Sequence, residues 1–239
     1  QSKAPEEVGP VRSARSTDIS IAGPLNRPLF AYSGTNQAFQ ALVDRAPLVV
    51  LSQDAKPGAY YRKGGRRAPY NLWARVGDLY AEAARAGGPP APLFSYLGAG
   101  EAPAGDPAGG VSLQWKDKVT TSVAWTYDAG AGVYHRTMNG TDHVDDAGTP
   151  VAPRNVIVQF TDYVVTPYVD ASGAPVPEAK LVGGGDAWIL TAGRIVQGRW
   201  QREAVEQPTR YLDAAGNPVK LTPGATWVEL PRPGMAAAA

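Results

Sequence analysis

Cysteine is absent from the 239 residues. That excludes a disulfide framework, a thiolate zinc site, an iron–sulfur cluster and a cysteine nucleophile. Histidine is scarce: His135 and His143 are the only two, too few for a site built on three imidazoles. No apolar run approaches the ~20 residues of a membrane-spanning helix, and Pro47 to Leu51 is typical of the longest. Gly-x-Ser-x-Gly, His-Glu-x-x-His and a phosphate loop with its lysine are also missing, so the common signatures of hydrolases, zinc peptidases and nucleotide binders do not apply. No cofactor and no metal is expected.

What is present is a loop-rich chain with ample core material. It has 27 glycines, 22 prolines and 44% hydrophobic residues. The net charge of +1 hides an asymmetry: residues 1–105 carry twelve basic and eight acidic side chains, residues 106–239 eleven and fourteen. Arg62, Lys63, Arg66 and Arg67 fall within six positions. A nucleic-acid binder is usually far more basic over its whole domain, so no nucleic acid is expected as partner.

The first hundred residues alternate strand and helix signals. A short helix is expected from Ser16 to Ala22, stopped by Pro24. Pro28 to Tyr32 reads as a buried strand that passes through Ser33-Gly34-Thr35 into a helix, with Thr35 as the expected N-cap. Pro47 to Leu51 is the next strand. Leu72, Trp73, Val76, Leu79, Tyr80, Ala83 and Ala84 then recur at helical spacing, which predicts a helix opening at Asn71. This order argues for an α/β layer. The Pro/Gly/Ala-rich stretch from Ala91 to Gly110 reads as a linker or long connection.

Beyond it the pattern changes to short β-branched or aromatic runs separated by turns, which predicts a mainly antiparallel β half. The expected fold is α+β: an α/β portion over 1–105 and a β-rich domain over 106–239. Asp-x-x-Gly-x-Pro-Val occurs at 145–151, 170–176 and 213–219, as in a turn closed by an aspartate and a glycine with positive φ. Asn139-Gly140 reads as a tight turn, Gly183 to Asp186 as a bulge or bend, and the Ala236 to Ala239 tail as a frayed end or linker.

Several stretches resemble the bacterial YerB-like lipoprotein family, a domain of unknown function in two parts. Gly9-Pro10-Val11-Arg12-Ser13-Ala14-Arg15 is similar to one of its signatures, and Arg67-Ala68-Pro69-Tyr70-Asn71-Leu72 to another, with Tyr70 where the family usually has histidine. Asn139-Gly140 through Asp145 with Ala152 to Val158, Gly183 to Ala187, and Pro223 to Val228 resemble later motifs. The resemblance covers nearly the whole chain. It implies an extracytoplasmic, secreted or lipid-anchored envelope protein, and a natural chain that extends before Gln1. It supplies no reaction.

Two groups of residues are candidates for function. Arg12, Arg15, Ser33, Thr35, Arg67 and Asn71 could gather guanidinium forks, hydroxyls and a helix N-terminus around an anion. The alternative is that the arginines pair with nearby acids such as Asp18. His143 with Asp142 or Asp145 could act as a carboxylate–imidazole base, whereas Asp145 also belongs to the turn pattern. The leading expectation is an envelope binding or assembly module for an anionic small molecule, an envelope polymer or a membrane-associated protein. A hydrolase or transferase acting on envelope polymers, and a structural subunit docked on a membrane complex, are the alternatives.

Overall fold

A computed structural model describes residues 4–116, 120–169 and 173–239. The chain forms two compact units. Unit 1 comprises residues 1–91, 164–178 and 205–207; unit 2 comprises 92–163, 179–204 and 208–239. The fold is α+β with a β-rich carboxy-terminal part.

Unit 1 begins with β1 (Glu7–Val8) and α1 (Ser16–Ala22). β2 (Leu29–Tyr32), α2 (Gln37–Arg45) and β3 (Val49–Ser52) follow as a strand–helix–strand unit, and β2 pairs parallel with β3 from Leu29↔Val49 to Tyr32↔Ser52. Phe39 and Val43, one helical turn apart on α2, are buried with Ala14 and Tyr32. The cap of α2 is Asn36, not Thr35: the Asn36 side chain accepts the Ala38 amide at 2.8 Å, and Thr35 instead donates its hydroxyl to the Ala14 carbonyl at 3.3 Å.

The helix expected from Asn71 is mostly something else. After β4 (Tyr60–Arg62), residues Leu72–Arg75 form β5, the centre of an antiparallel sheet ordered β1-β5-β4. Only Val76–Tyr80 is α-helical (α3), followed by a 3₁₀ turn at Ala83–Arg85. Leu72, Trp73 and Ala74 are consecutive and all buried. Such an unbroken run suits a central strand covered on both faces, and over so few residues helical and strand spacing cannot be told apart.

The remaining strands begin with β6 (Ser95–Tyr96), β7 (Asp106–Pro107), β8 (Gly110–Lys116), β9 (Thr120–Asp128), β10 (Val133–Met138) and β11 (Thr141–Asp142). Then come β12 (Asn155–Gln159), β13 (Tyr163–Val169), β14 (Pro175–Ala179), β15 (Gly183–Thr191) and β16 (Arg194–Arg202). β17 (Arg210–Leu212), β18 (Lys220–Leu221), β19 (Thr226–Glu229) and β20 (Ala236–Ala238) complete the set. Unit 2 holds one antiparallel sheet ordered β11-β10-β9-β8-β20 and a second ordered β17-β16-β15-β12-β19, with β7 beside β16. Val119, the β-branched residue just before β9, lies outside the described residues.

β12 shows why the second sheet is central. All five of its residues are buried; Val156 and Val158 pack with Leu113, Trp125 and Tyr134 of the first sheet, and Ile157 packs on the opposite face with Trp200 and Tyr211. Each fully buried aliphatic side chain there contributes about 1.5–3 kcal/mol.

Three local expectations are corrected. Gly183 to Asp186 is regular strand, paired from Gly183↔Arg202 to Asp186↔Arg199, and not a bend. A Cβ at Gly185 would lie 2.7 Å from the Trp200 ring nitrogen, so glycine there admits the indole that donates to the Phe160 carbonyl at 2.8 Å. The alanine tail is strand β20, paired with β8. The stretch after Ala91 is not a plain linker, because β6 pairs with β18, β7 pairs with β16, and Phe94 stacks on Tyr211.

The repeated turn takes the same form twice. Asp145 Oδ1 accepts the Ala147 and Thr149 amides, and Asp213 Oδ1 accepts those of Ala215 and Asn217. Gly148 and Gly216 follow at φ 82° and 85°. Of the third copy, Asp170, Ala171 and Ser172 lie outside the described residues. Asn139 and Gly140, at φ 51° and 76°, form the two-residue hairpin between β10 and β11.

Candidate functional site

The site in unit 1 starts from the segment after β1. Gly9 lies flat on the Trp73 indole, where a Cβ would come within 2.6 Å of the ring. The Val11 amide then donates to the Leu72 carbonyl at 2.7 Å, which holds the segment on β5. From there it crosses to the end of β2: the Ser33 amide donates to the Arg12 carbonyl at 2.9 Å, and the Ala14 amide to the Gly34 carbonyl at 3.1 Å. These bonds place Arg12 and Arg15 beside Ser33, Thr35 and the start of α2.

Asp18 does not neutralise this arginine pair through an ion pair. Its Oδ2 accepts the Arg15 main-chain amide at 2.7 Å, which caps the first turn of α1. Burial raises the Asp18 carboxyl above its ordinary value, opposed by that amide and by the Arg15 charge. The Arg15 guanidinium donates to the Ala14 carbonyl at 3.1 Å, and the residue is exposed.

Arg12, Arg15, Ser33 and Thr35 all line one cavity of about 670 Å³. Arg62 joins them from β4, where the register sets it opposite Leu72. These three arginines carry all the formal charge in the described wall, which has no aspartate or glutamate. Among the described residues none of the three makes a salt bridge. Arg12 lies over the Tyr70 ring at 4.6 Å, and Arg62 donates to Asn71 Oδ1 at 2.9 Å. Ser16 also belongs to the wall, and its buried Oγ has no hydrogen-bond partner among the described residues.

The lining also has apolar members. Phe39 of α2 meets Tyr168 edge-on at 5.6 Å, with Val169 and Val176 alongside. Asn36 Nδ2 donates to the Val169 carbonyl at 3.2 Å, so the residue that caps α2 also holds β13 in place. Arginine forks, hydroxyls and the amino end of a nine-residue helix all favour a bound anion.

Arg67 and Asn71 stand differently from the other four candidates. Neither is in the wall; Asn71 acts through its bond to Arg62, and Arg67 is exposed on the preceding loop. Arg62 was visible in the sequence only as part of a basic run. Tyr168 and Val169 gave no signal and Val176 only that of a turn pattern, since nothing local ties them to Phe39 and the arginines of the early chain.

In unit 2 the structure does not gather His143, Asp142 and Asp145 into a catalytic group. His143 Nδ1 lies 3.1 Å from Arg136 Nη1. A guanidinium only donates, so the Nδ1 lone pair that a base would use is taken up by Arg136. The ring packs edge-on against Trp227 at 5.9 Å. Asp145 is committed to its turn, whose amides lower its carboxyl below the ordinary value, and Asp142 is exposed on β11. Arg136 in turn bonds Glu229 at 3.3 Å, which also accepts from Trp125 Nε1 at 3.1 Å. Among the described residues no three acidic or histidine side chains cluster as a metal site. No helix of the described residues is long and apolar enough to cross a membrane.

Comparison with known proteins places these features in a family. Residues 1–88 match the model for the N-terminal domain of DUF3048, a protein of unknown function, and residues 111–228 match the model for its C-terminal domain. The chain is 24% identical over 238 residues to the Bacillus subtilis (strain 168) protein named "Putative lipoprotein YerB", covering 96% of this chain and 68% of that one. The crystal structure of YerB from Bacillus subtilis superposes with a TM-score of 0.82 at 20% identity, over 100% of this chain and 79% of that one, which establishes the shared fold. Matched in order by both domain models, the chain belongs to the two-part DUF3048 family of proteins of unknown function.

Proposed function

We propose that this chain is an extracytoplasmic envelope protein whose unit 1 cavity binds an anionic ligand, a small molecule or the charged group of an envelope polymer. The lipoprotein name of the Bacillus relative supports the envelope placement. The observation that carries the ligand class is the wall itself: Arg12, Arg15 and Arg62 line one cavity with no carboxylate among its described residues. Clustered like charges repel, and an anion that accepts their charge-assisted bonds, each worth about 1.5–3 kcal/mol, relieves the repulsion. The hydrolase or transferase alternative lacks comparable support, because His143 and Asp145 are both engaged elsewhere.

Isothermal titration with pyrophosphate and with citrate tests the reading on the full chain, its Arg12→Ala and Arg15→Ala variants, and the double variant. Binding by the wild type that weakens roughly tenfold or more per arginine supports it. No heat with either anion, or equal heats for all variants, overturns it.

A further inference from the structure

Resting on the anion-binding reading of the same cavity, we infer that the ligand is a phosphate monoester carrying an apolar group, with the phosphate among the arginines and the apolar part against Phe39, Val169 and Val176. Three features of the cavity lead there.

The first is charge. Three guanidiniums with no described acid in the wall leave an excess that a single carboxylate does not balance. A phosphate monoester carries about −1.5 to −2 charges near neutral pH and presents three terminal oxygens. Arginine forks arriving from two separate stretches, the strap at 12–15 and strand β4, suit an acceptor with oxygens pointing in several directions.

The second is an unused donor. Ser16 is 7% exposed, and its Oγ lacks a partner among the described residues while the residue forms part of the wall. A buried hydroxyl without a partner costs free energy, and a phosphate oxygen would satisfy it.

The third is size and polarity. At about 670 Å³ the cavity is in the range that holds organic molecules of drug size, far more than one tetrahedral ion fills. The lining also offers Phe39, Val169 and Val176, and Val169 remains 44% exposed. An apolar group attached to the phosphate would cover that surface and leave the polar side to the ester oxygens.

The test compares inorganic phosphate, hexyl phosphate, hexanoate and butylmalonate by titration against the full chain, together with Val169→Ser and Val176→Ser. The expected order puts hexyl phosphate at least about tenfold tighter than inorganic phosphate, the gain that two buried methylenes supply. Both valine variants should bring hexyl phosphate down toward the affinity that inorganic phosphate shows for the same variant. Equal affinity for phosphate and hexyl phosphate removes the apolar part of the inference and leaves the anion site standing. Butylmalonate or hexanoate binding as tightly as hexyl phosphate removes the phosphate part. Failure of all four probes to bind removes the anion site as well.

Discussion

The main-chain carbonyl of Arg12 accepts the Ser33 amide at 2.9 Å, so the arginine strap is held to the strand-to-helix turn of unit 1 by backbone bonds and the Thr35 hydroxyl, not by the arginine side chains. Arg12 can therefore be changed without undoing the bond that positions its neighbours. Arg12→Ala should lower affinity for anions and leave the melting temperature nearly unchanged, as read by titration and thermal denaturation on the same samples.

Gly9 is a different case. Any side chain there meets the Trp73 ring, and overpacking of this kind typically costs about 1–3 kcal/mol. Gly9→Ala should lower both stability and anion affinity, because the strap that carries Arg12 and Arg15 leaves β5 at this point. Urea denaturation gives the first and titration the second; lost stability with unchanged affinity would uncouple the strap from the site.

Ser16→Ala separates ligand binding from folding in the other direction. Its Oγ has no partner in the free protein among the described residues, so removing it should leave stability level or slightly raised while weakening phosphate binding. A clear loss of stability would mean that the hydroxyl already has a structural role.

Unit 2 offers a buried ion pair. Arg136 and Glu229 side chains are 9% and 8% exposed, and the carboxylate also takes the Trp125 indole. Glu229→Ala should cost about 3–5 kcal/mol in urea denaturation, since it strands a buried guanidinium. Arg136→Met with Glu229→Leu should cost less than either charge removed alone.

Acid should destabilise the fold in a defined window. The carboxyls of Glu7, Glu101, Asp145 and Asp213 are lowered in the folded chain: Glu7 by hydrogen bonds from Lys63 and Tyr61, Glu101 by Lys220 and the Gly98 amide, and the two aspartates by turn amides. A depressed folded value means their contribution is complete above the ordinary 4.5 and 3.8, and is lost as pH falls through those values toward the lowered ones. Asp18, raised by burial, acts in the opposite sense and gains from protonation. Melting temperatures between pH 6 and 3 should fall, and Asp213→Asn should make the fall shallower.

What could be read from the chain follows the range of the forces involved. α1, the Asn139-Gly140 hairpin and the aspartate turns were legible because each is closed by chemistry within a few residues, and the strands 29–32 and 49–52 because each is a short apolar run bounded by breakers and turn residues. β5 was misread as helix because what makes Leu72–Arg75 a strand is pairing with Glu7–Val8 and Tyr60–Arg62. β20 was misread for the same reason, since alanines carry little strand preference and only β8 makes them one. Arg12, Arg15, Ser33 and Thr35 were found by residue type, and the structure brings them together. Arg62 needed the β4 register, and the apolar wall needed residues 164–178.

That last segment has a practical corollary for anyone dissecting the molecule. Cutting the polypeptide between the two family segments, after residue 88 and before 111, would divorce Tyr168 from Phe39 and Val169 from Asn36. The excised amino-terminal half would keep its arginines but present an open flank where a greasy wall had stood, so an assay on that fragment would understate what the intact polypeptide can hold.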